Sequence, residues 1–460
     1  MSKYSFLTHR ALKRHRPWGG APCLWRLGCT LMLVGLSVGD PAHAQPEAVS
    51  PPTSSVEQGQ TPLDEAFSGR PRRTPAAQAA GVTPSGTKMY WDLRTMYLGR
   101  QNYDGSQTES LATGGWAGVK TDYFLDHFSF GATGYTSQKL HGDPDKDGAL
   151  LLGRGQHGYE VLGELYADVK VIEGLNLTVG RKEYDTPFIN RNDSRLTPNT
   201  FEAISLMGGT KVGSKGASLR YGLGYVDSIK ERNSDEFVSM SVDAGAEVER
   251  GVIAAGGLYK QGGFSLGALD YYCPDIVNIG FAEAKMEFPM GGWLTPRLAL
   301  QFIDQRSVGD DLLLNSGDNG QQYGIKAELP VGQALFTAAY TNINGDMGMI
   351  SPWAGYPGYT SVQVEDFNRA GEAAWMLRAA YEFKEIKGLS TYALWVHGTA
   401  PDQPGKHGRD EYNFNLQWSA PAGVLKGLSF RLRYALVEER AAATDELTDL
   451  RLICNYAINF

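Results

Sequence analysis

The residues whose type and spacing could do chemistry in this chain are arginines on alternate positions. In "FRLRY", Arg431 and Arg433 are two apart, which in an extended strand puts both side chains on one face. Arginine presents a planar fork of donors that matches a carboxylate, and its hydrogen bonds to an anion are charge-assisted. These residues therefore predict reversible binding of anionic groups. The same alternation adds further basic residues to the same side of their strands: Arg94, Arg100, Lys182, Arg220, Arg297, Lys326, Arg378 and Arg451.

A plainer explanation of these basic residues stays open. Acidic side chains share the same face, and pairing with them would leave the arginines only as solvating groups. Two unit charges ~4 Å apart attract by about 1 kcal/mol in bulk water and by about 4 kcal/mol near a protein surface. Each basic residue would then be a weak stop from which an anion can leave. Taken together, they favour a track for anionic groups. The acidic residues on that face include Asp92, Glu328, Glu372 and Glu382.

Two other kinds of chemistry have weaker support in the sequence. "DPDKDG" spaces Asp143, Asp145 and Asp147 as a calcium loop does, but Arg154 stands at the twelfth position, where such a loop carries glutamate. These aspartates are a candidate cation site, and a solvated acidic turn is the alternative. The histidines after residue 44 lie in loops or near turns, without the paired serine that nucleophilic catalysis requires. We therefore expect no enzyme activity and no cofactor.

From Lys88 onwards the chain alternates apolar and polar residues. In "YNFNLQWS" and "LSFRLRYA", aromatic and aliphatic residues occupy every second position, and Asn, Gln or Arg occupy the others. Strict alternation predicts strands with one apolar and one polar face. A soluble sandwich or propeller also alternates, but the polar faces here are rich in Arg, Asn and Gln, and the apolar faces carry Trp and Tyr near strand ends. The pattern favours an all-β transmembrane barrel with its apolar face towards lipid.

The spacing between strands also alternates. Tight joints such as "IEGLN", "KQGGF" and "LPVGQ" take turns with long polar stretches, a layout typical of outer-membrane barrels with short periplasmic turns and long extracellular loops. Counting in this way predicts about 18 antiparallel strands with both termini periplasmic, although Glu236–Arg250 could be loop or a further strand. The predicted long loops are Gln101–Thr113, Leu140–Gly155, Tyr184–Asn199, Lys230–Arg250 and Ile343–Asn368.

Two segments precede the predicted barrel domain, which covers residues 88–460. Residues 1–44 combine basic residues, a short apolar run and "AHAQ", which predicts a secretory signal peptide. Residues 45–87 are rich in Pro, Ala, Ser, Gln and Gly, which predicts a disordered leader, with a tether or a short plug as alternatives. Removing residues 1–44 leaves 37 basic residues against 50 acidic ones. An exported acidic chain is a poor candidate for nucleic-acid binding, and the two remaining cysteines are no disulfide framework.

The last residue is itself a signal. The apolar series of the final strand closes on Phe460. A terminal phenylalanine on the lipid-facing side resembles the mark by which the bacterial barrel-assembly machinery recognises its clients. We expect the protein in the outer membrane of a Gram-negative bacterium, in contact with lipid and lipopolysaccharide.

Three stretches resemble one family. "GRKEYDTPFINRNDSRLTPNTFEA" at Gly180–Ala203 is similar to the third loop of the OprD family of substrate-specific outer-membrane channels. "FNRAGEAAWMLRAAYEF" at Phe367–Phe383 is similar to the family's strand after loop seven. "GVLKGLSFRLRYA" at Gly423–Ala435 precedes a closing strand that ends in Phe. The resemblance covers nearly everything from Lys88 to the end, and Arg191 stands where many members have a neutral residue.

The resemblance implies an 18-stranded barrel, monomeric with a weak trimer as the alternative, that passes small carboxylate solutes. Loops three and seven would narrow the pore, and the basic residues above would form a ladder. An ion pair between Asp193 and Arg195 that fixes loop three is as reasonable as direct solute contact. An adhesin or receptor built from the long loops is the alternative function. The constriction residues that the resemblance implies are Asn192, Asp193, Arg195, Tyr356, Tyr359, Asp366, Arg369 and Glu372.

Overall fold

The computed structural model describes residue 63 and residues 86–213, 216–291, 294–353, 355–401, 404–440 and 445–459. The predicted signal peptide at 1–44, most of the leader at 45–87 and the terminal Phe460 therefore lie outside the described residues. Within the leader, Leu63, Gly86 and Thr87 are described.

Nineteen strands make up nearly all of the regular structure in the described ranges. Their bounds are β1 Lys88–Gln101, β2 Gln107–Lys120, β3 Phe128–His141, β4 Tyr159–Ile172, β5 Leu175–Lys182, β6 Thr200–Val212, β7 Ala217–Lys230, β8 Val238–Ser239, β9 Val252–Gln261, β10 Phe264–Cys273, β11 Val277–Glu287, β12 Arg297–Arg306, β13 Asn319–Val331, β14 Ala334–Gly345, β15 Ala373–Glu382, β16 Leu389–Gly398, β17 Arg409–Ser419, β18 Leu428–Glu439 and β19 Asp445–Asn459.

Eighteen of these strands close into one antiparallel barrel, as predicted. Neighbours in the chain are neighbours in the sheet, β7 pairs directly with β9, and β1 pairs with β19 to close the ring. The two-residue β8 pairs with the end of β7 and is not a stave of the barrel. The segment that the sequence left as loop or strand is therefore a loop, which holds β8 and the one-turn helix Met240–Asp243.

The period-two pattern decides which way each side chain points. Along β10, Leu266 and Tyr272 are exposed on the outer wall, while Leu269, Tyr271 and Cys273 are buried towards the interior. The outer wall is apolar because it faces lipid, and the closed ring leaves no free sheet edge among the eighteen strands. Among the described residues, no helix is long and apolar enough to cross a membrane.

The connections differ in length between the two ends of the barrel. At one end they are mostly tight, such as residues 173–174, 262–263 and 332–333; at the other end are L2 (142–158), L3 (183–199), L4 (231–251) and L7 (346–372). The prediction of a long first loop was wrong. Strand β1 extends to Gln101 and β2 begins at Gln107, so that only five residues connect them. Both chain ends lie at the tight-turn end, since Tyr90 pairs with Asn459.

The buried apolar core lies inside the barrel, where L3, L4 and L7 fold onto strands β9–β12. Phe188 of L3 and Trp353 of L7 both pack on Tyr271, with ring centroids 5.7 and 6.2 Å away. The Trp353 indole also donates to the Met240 carbonyl of L4 at 2.9 Å. L3, L4 and L7 thus fill the side of the lumen formed by β9–β12, and the side formed by β15–β19 and β1 carries many of the buried polar residues.

Candidate functional site: the lumen and its constriction

Three arginines of the inner wall lie around one tyrosine. Arg378 of β15 lies over the ring of Tyr392 of β16, with its guanidinium carbon 4.5 Å from the ring centroid. Arg431 of β18 donates to Asn415 Oδ1 at 2.6 Å. The Nε atoms of Arg378 and Arg433 are buried without a hydrogen-bond partner among the described atoms. None of the three arginines forms a salt bridge with any residue that the structure describes.

The strand register places Tyr392 in one row around the wall with residues of the next three strands, and Arg378 and Arg431 lie two residues to either side of that row. Tyr392 is opposite Asn415 of β17, Asn415 is opposite Arg433 of β18, and Arg433 is opposite Arg451 of β19. Neighbouring strands are about 4.8 Å apart, so a solute can pass from one side chain to the next without leaving the wall. The arrangement can hold an anion at several successive places.

Near the β19 end of this row, two other arginines are paired with one carboxylate. Asp449 accepts from Arg100 at 2.8 Å and from Arg451 at 2.6 Å, and Gln363 of L7 donates to it at 2.8 Å. Arg451 is 3% exposed and also donates to the Gln363 carbonyl. This cluster joins β1, β19 and the tip of L7, so that two predicted ladder residues here hold L7 in place.

Two more predicted ladder residues have acidic partners. Arg297 lies 3.6 Å from both Glu287 and Glu328. Lys182 donates to Asp168 at 3.0 Å, and the same carboxylate takes Lys120 at 2.9 Å. For these positions the plainer explanation from the sequence, pairing with lumen acids, describes the structure.

Two other basic residues of the predicted ladder lie elsewhere on the wall. Arg220 is exposed on β7 near the tight-turn end of the barrel. Lys326 of β13 lies over the ring of Tyr359, with its Nζ 4.7 Å from the ring centroid. Neither belongs to the row around Tyr392.

Arg94 has a different role from the one predicted. It is 7% exposed, and its guanidinium binds the Asp193 carboxylate and the Arg195 carbonyl of L3 while lying 4.8 Å from the Trp116 ring. Its donors are directed at L3 and its flat face at an aromatic ring. Arg94 therefore fastens L3 to β1, and its donors are used within the protein.

The ion pair predicted inside L3 is also replaced by another. Asp193 pairs with Arg94 and Arg191, at 3.2 Å to Arg191, whereas Arg195 is buried and donates to the Ala149 carbonyl of L2 at 2.7 Å. Asn192 takes a left-handed backbone, φ 37°, at the turn between them.

Electrostatics explain why L3 carries an arginine at position 191. Burial alone would lower the pKa of Arg191, but Glu183, Asp193 and Asp185 around it outweigh burial and raise that pKa. Its guanidinium lies 2.8 Å from Glu183 and 3.7 Å from Asp185. Arg191 is thus the charge that holds the acidic groups of L3 together, with Arg94 as their second cationic partner.

L7 is also held against strands β11–β13 by side chains of those strands. Tyr359 donates to Glu283 at 2.6 Å, Tyr356 binds Gln322, and Gln301 donates to the Pro357 carbonyl at 2.9 Å. Both tyrosines are thus committed to the wall. The pKa of Asp366 is raised, because burial disfavours its charged form.

The tip of L7 is also bound through its backbone. The Glu411 carboxylate of β17 accepts the amides of Val364 at 3.0 Å and Glu365 at 2.8 Å. Asn413, two residues further on, accepts the Gln363 amide at 3.2 Å. Consecutive amides of L7 therefore fix the height of the loop on β17.

The remaining predicted constriction residues lie at the base of L7. Glu372 is fully buried and accepts from both the backbone and the guanidinium of Arg369, at 3.0 and 2.6 Å. Arg369 also donates to the Thr399 and His407 carbonyls. These contacts make the pair a clamp for the loop, and their atoms are used within the protein.

The candidate cation site of L2 is not formed. Asp143 caps the Asp145 amide, and Asp147 accepts from the amides of Gly148 and Gly155 at 2.7 Å. Across the described residues, no group of three or more His, Cys, Asp or Glu side chains is placed to hold a metal ion. The acids shape a turn, which was the alternative.

Sequence reasoning missed several residues of the wall. Tyr392, Asn415 and Asp449 all point inward, and strand alternation could have found them as it found the arginines. Gln363 lies in a loop, where no periodicity applies, so its place beside Asp449 had no signal in the sequence.

The chain matches the family model of the outer-membrane porins of the OprD family over residues 85–460. The chain belongs to the OprD family. Porin D of Pseudomonas aeruginosa is 24% identical over 429 residues, which cover 80% of this chain and 89% of that protein.

Solved structures of OprD-family channels have the same fold. OccK9 (OpdG) of Pseudomonas aeruginosa has a TM-score of 0.74 at 24% identity, covering 81% of this chain and 98% of that one. OccAB2 of Acinetobacter baumannii has a TM-score of 0.72 at 20% identity, covering 82% and 100%. OpdK of Pseudomonas aeruginosa, solved with vanillate, has a TM-score of 0.71 at 20% identity, covering 81% and 99%.

Membership of the OprD family decides the class of activity. The chain is an outer-membrane porin, which is a passive channel and not an enzyme. The family confirms the transport function predicted from the strand pattern and the three motifs.

Proposed function

We propose that this OprD-family chain is a diffusion channel for small carboxylate-bearing solutes, guided by Arg378, Arg431 and Arg433 and narrowed by L3 and L7. The observation that carries the proposal is that these three arginines line the lumen around Tyr392 without a carboxylate partner among the described residues. An unpaired guanidinium in a partly dry wall has donors that a passing anion can satisfy.

The ligand chemistry follows from the shape of the cluster. The arginines of the cluster and Asn415 offer donors to a carboxylate. The Tyr392 ring beneath Arg378 offers a flat face to the rest of the solute. Amino acids and aromatic or aliphatic organic acids share these features. A channel also requires that each stop be weak, and attractions of a few kcal/mol in several steps meet that requirement.

The constriction supports selection and not free flow. L3 and L7 are both tied down by buried contacts, L3 through Arg94 and L7 through Glu411 and Asp449. A fixed aperture beside a basic wall selects solutes by their charge and size. A general porin would instead pass ions with little regard to the solute.

The test is single-channel current of the refolded protein in a planar bilayer, with benzoate, succinate and arginine added in turn. We expect carboxylates to block or alter the current, and the most potent solute identifies the class. Arg433→Gln removes an unpaired charge, and Arg297→Gln removes one that is already paired with Glu287 and Glu328. Loss of a stop worth ~1 kcal/mol weakens the carboxylate effect roughly fivefold in Arg433→Gln.

The matched pair separates the outcomes. If both variants weaken the carboxylate effect equally, the overall charge of the lumen matters and the specific row does not. A large conductance that no solute alters would identify a general porin. No current at all would favour the adhesin or receptor alternative.

We further propose the cellular setting that the sequence predicts. Residues 1–44 act as a signal peptide, the tight turns and both termini face the periplasm, and the long loops face outside next to lipopolysaccharide. The barrel-assembly machinery inserts the chain, with Phe460 as part of its signal. The channel functions as a monomer, and a trimer is the alternative; crosslinking in outer-membrane vesicles distinguishes the two.

A further inference from the structure

One polar cluster lies on the outer wall of the barrel and takes no part in the lumen. His397 of β16 stacks between the indoles of Trp375 and Trp395, with ring centroids 5.7 and 6.1 Å away and interplanar angles of 20° and 26°. Asp410 of β17 accepts from His397 Nδ1 at 2.9 Å and from the Trp395 indole at 3.1 Å on one oxygen. Its other oxygen accepts from Arg440 Nε at 2.6 Å. One carboxylate therefore orients three donors on the lipid-facing wall.

Two of these side chains keep a nitrogen for a ligand. Arg440 is 57% exposed and uses Nε and Nη2 on Asp410, so that Nη1 has no partner among the described residues. His397 Nε2, the other ring nitrogen, also lacks a partner there. The Asp410 side chain behind them is 2% exposed, and Glu438 lies opposite it on β18, which leaves the His397 side of Arg440 to an anion. A guanidinium held in place by a carboxylate matches the oxygens of a phosphate.

The cluster lies at the level of lipid headgroups. Its residues form a row around the outer wall, in which Tyr340 is opposite Trp375, Trp375 is opposite His397, and His397 is opposite Asp410. Strand β16 ends one residue later, at Gly398, on the side of the barrel that carries the long loops. Tyr and Trp side chains mark the membrane interfaces of such barrels. A phosphate-bearing headgroup is therefore within reach of this row.

An apolar hollow lies directly below the cluster on the same wall. It measures about 700 Å³, and Trp395 lines it while also stacking on His397, so that the hollow and the cluster are continuous. Phe336 and Leu377 also line it and are exposed. Its floor is made by small outward-facing residues of β13–β16: Ala327, Ala338, Ala379 and Ala393. A groove for an acyl chain below a site for an anion fits the two parts of one lipid.

From these observations we propose that Arg440 and His397 bind the phosphate of an outer-leaflet lipid whose acyl chains lie in the hollow over Ala338 and Ala379. Lipopolysaccharide is the phosphate-bearing lipid of that leaflet, and the cluster gives it one specific place on the barrel. Asp410 positions both donors and does not touch the lipid itself. The site needs only that the outer wall faces lipid, and it stands independently of the carboxylate proposal.

The test measures retention of lipid A, the phosphorylated acyl anchor of lipopolysaccharide, on the refolded protein by native mass spectrometry. Arg440→Gln and His397→Gln should each weaken retention roughly tenfold, the factor for losing one hydrogen bond to a charged group. Arg306→Gln is the matched control, because Arg306 on the outer wall of β12 is 56% exposed and also bound to an aspartate, Asp304. It should retain the lipid like the unchanged protein. Equal single-channel conductance shows that every variant is folded.

A second pair of variants tests the hollow. Ala379→Phe fills it without touching the cluster and should weaken retention, whereas Ala268→Phe places the same ring on the outer wall of β10 and should not. Equal retention by Arg440→Gln and Arg306→Gln would overturn the proposal. So would equal retention of lipid A from which the phosphates have been removed. Displacement of the lipid by an equal concentration of inorganic phosphate would show a site for a free anion and overturn the lipid assignment.

Discussion

Gly355 of L7 lies directly against Asn190 of L3. A Cβ at position 355 would collide with the Asn190 side-chain amide and would lie 2.8 Å from the Pro187 carbonyl. The two loops L3 and L7 therefore touch each other where one of them has no side chain. The backbone at Gly355 is not left-handed, so that space, and not conformation, is what requires glycine here.

Replacing Gly355 by alanine should push L3 and L7 apart. Overpacking of this kind costs about 1–3 kcal/mol, and displacement of the contact between L3 and L7 should change the single-channel conductance. Gly280→Ala is the control, because a Cβ there meets nothing within 4 Å. Thermal unfolding and conductance are measured together. If the Gly355→Ala protein has the same conductance as the Gly280→Ala protein, the contact between L3 and L7 does not set the width of the channel.

Breaking the bond between Arg94 and Asp193 should release L3. Removing one partner of a buried ion pair costs about 3–5 kcal/mol because the other charge stays buried. Arg94→Gln should therefore lower stability far more than Arg306→Gln, whose ion pair with Asp304 lies on an exposed arginine and is worth about 0–1 kcal/mol. A double-mutant cycle with Asp193→Asn measures the coupling. Additive effects would show that L3 is fastened elsewhere.

Anion preference should fall as salt rises. On the proposed function the arginines around Tyr392 act on solutes through water in the lumen, and the screening length shortens from ~10 Å at 0.1 M to ~3 Å at 1 M. Reversal potentials in potassium chloride gradients should therefore show the largest anion preference at low salt. In Arg433→Gln the salt dependence should be shallower. A preference that is equal at all concentrations would assign selectivity to size alone.

The packing of L4 should weaken as pH rises. Burial, with Glu231 nearby, raises the pKa of Asp243 from 3.8 to about 8. The folded loop thus favours the protonated carboxyl, so its contribution is complete below pH ~4 and is lost as pH rises through about 8. Since one pKa unit corresponds to a factor of 10, we expect at least a roughly tenfold loss of protection across that window.

Hydrogen exchange of residues 238–250 measures this loss. Asp243→Asn carries no proton to release, so its protection, compared with the unchanged protein at each pH, should show no titration. Parallel curves for the two proteins would mean that Asp243 does not couple to L4 packing.

The strands could be predicted because their signal is local. Alternation along "YNFNLQWS" or "LSFRLRYA" specifies the two faces wherever the partner strand lies, since successive side chains of a strand point to opposite sides. Strand number, the inward direction of Arg431 and Arg433, and loops L3 and L7 all followed from that period and from motifs within the chain. The short first loop was missed because polar residues continue the strands beyond the apolar run.

The role of each inward arginine could not be predicted in the same way. Arg94 and Arg433 look alike in sequence, each inward on its strand, yet Arg94 is bound to L3 and Arg433 has no acidic partner among the described residues. The difference depends on where the loops fold back, and the contacts that decide it join residues about a hundred positions apart. The contact of Gln363 with Asp449 and that of Leu63 with Gly267 also join residues far apart in the chain, so neither could be predicted.

By itself, the sequence determined the class of protein, because strand period and family motifs are short-range patterns. Closing the barrel brought distant loops and walls into contact and so divided one set of basic residues into those paired with acidic groups and those without an acidic partner among the described residues. Charge pairing depends on distance in space, and the tertiary structure alone supplies that distance.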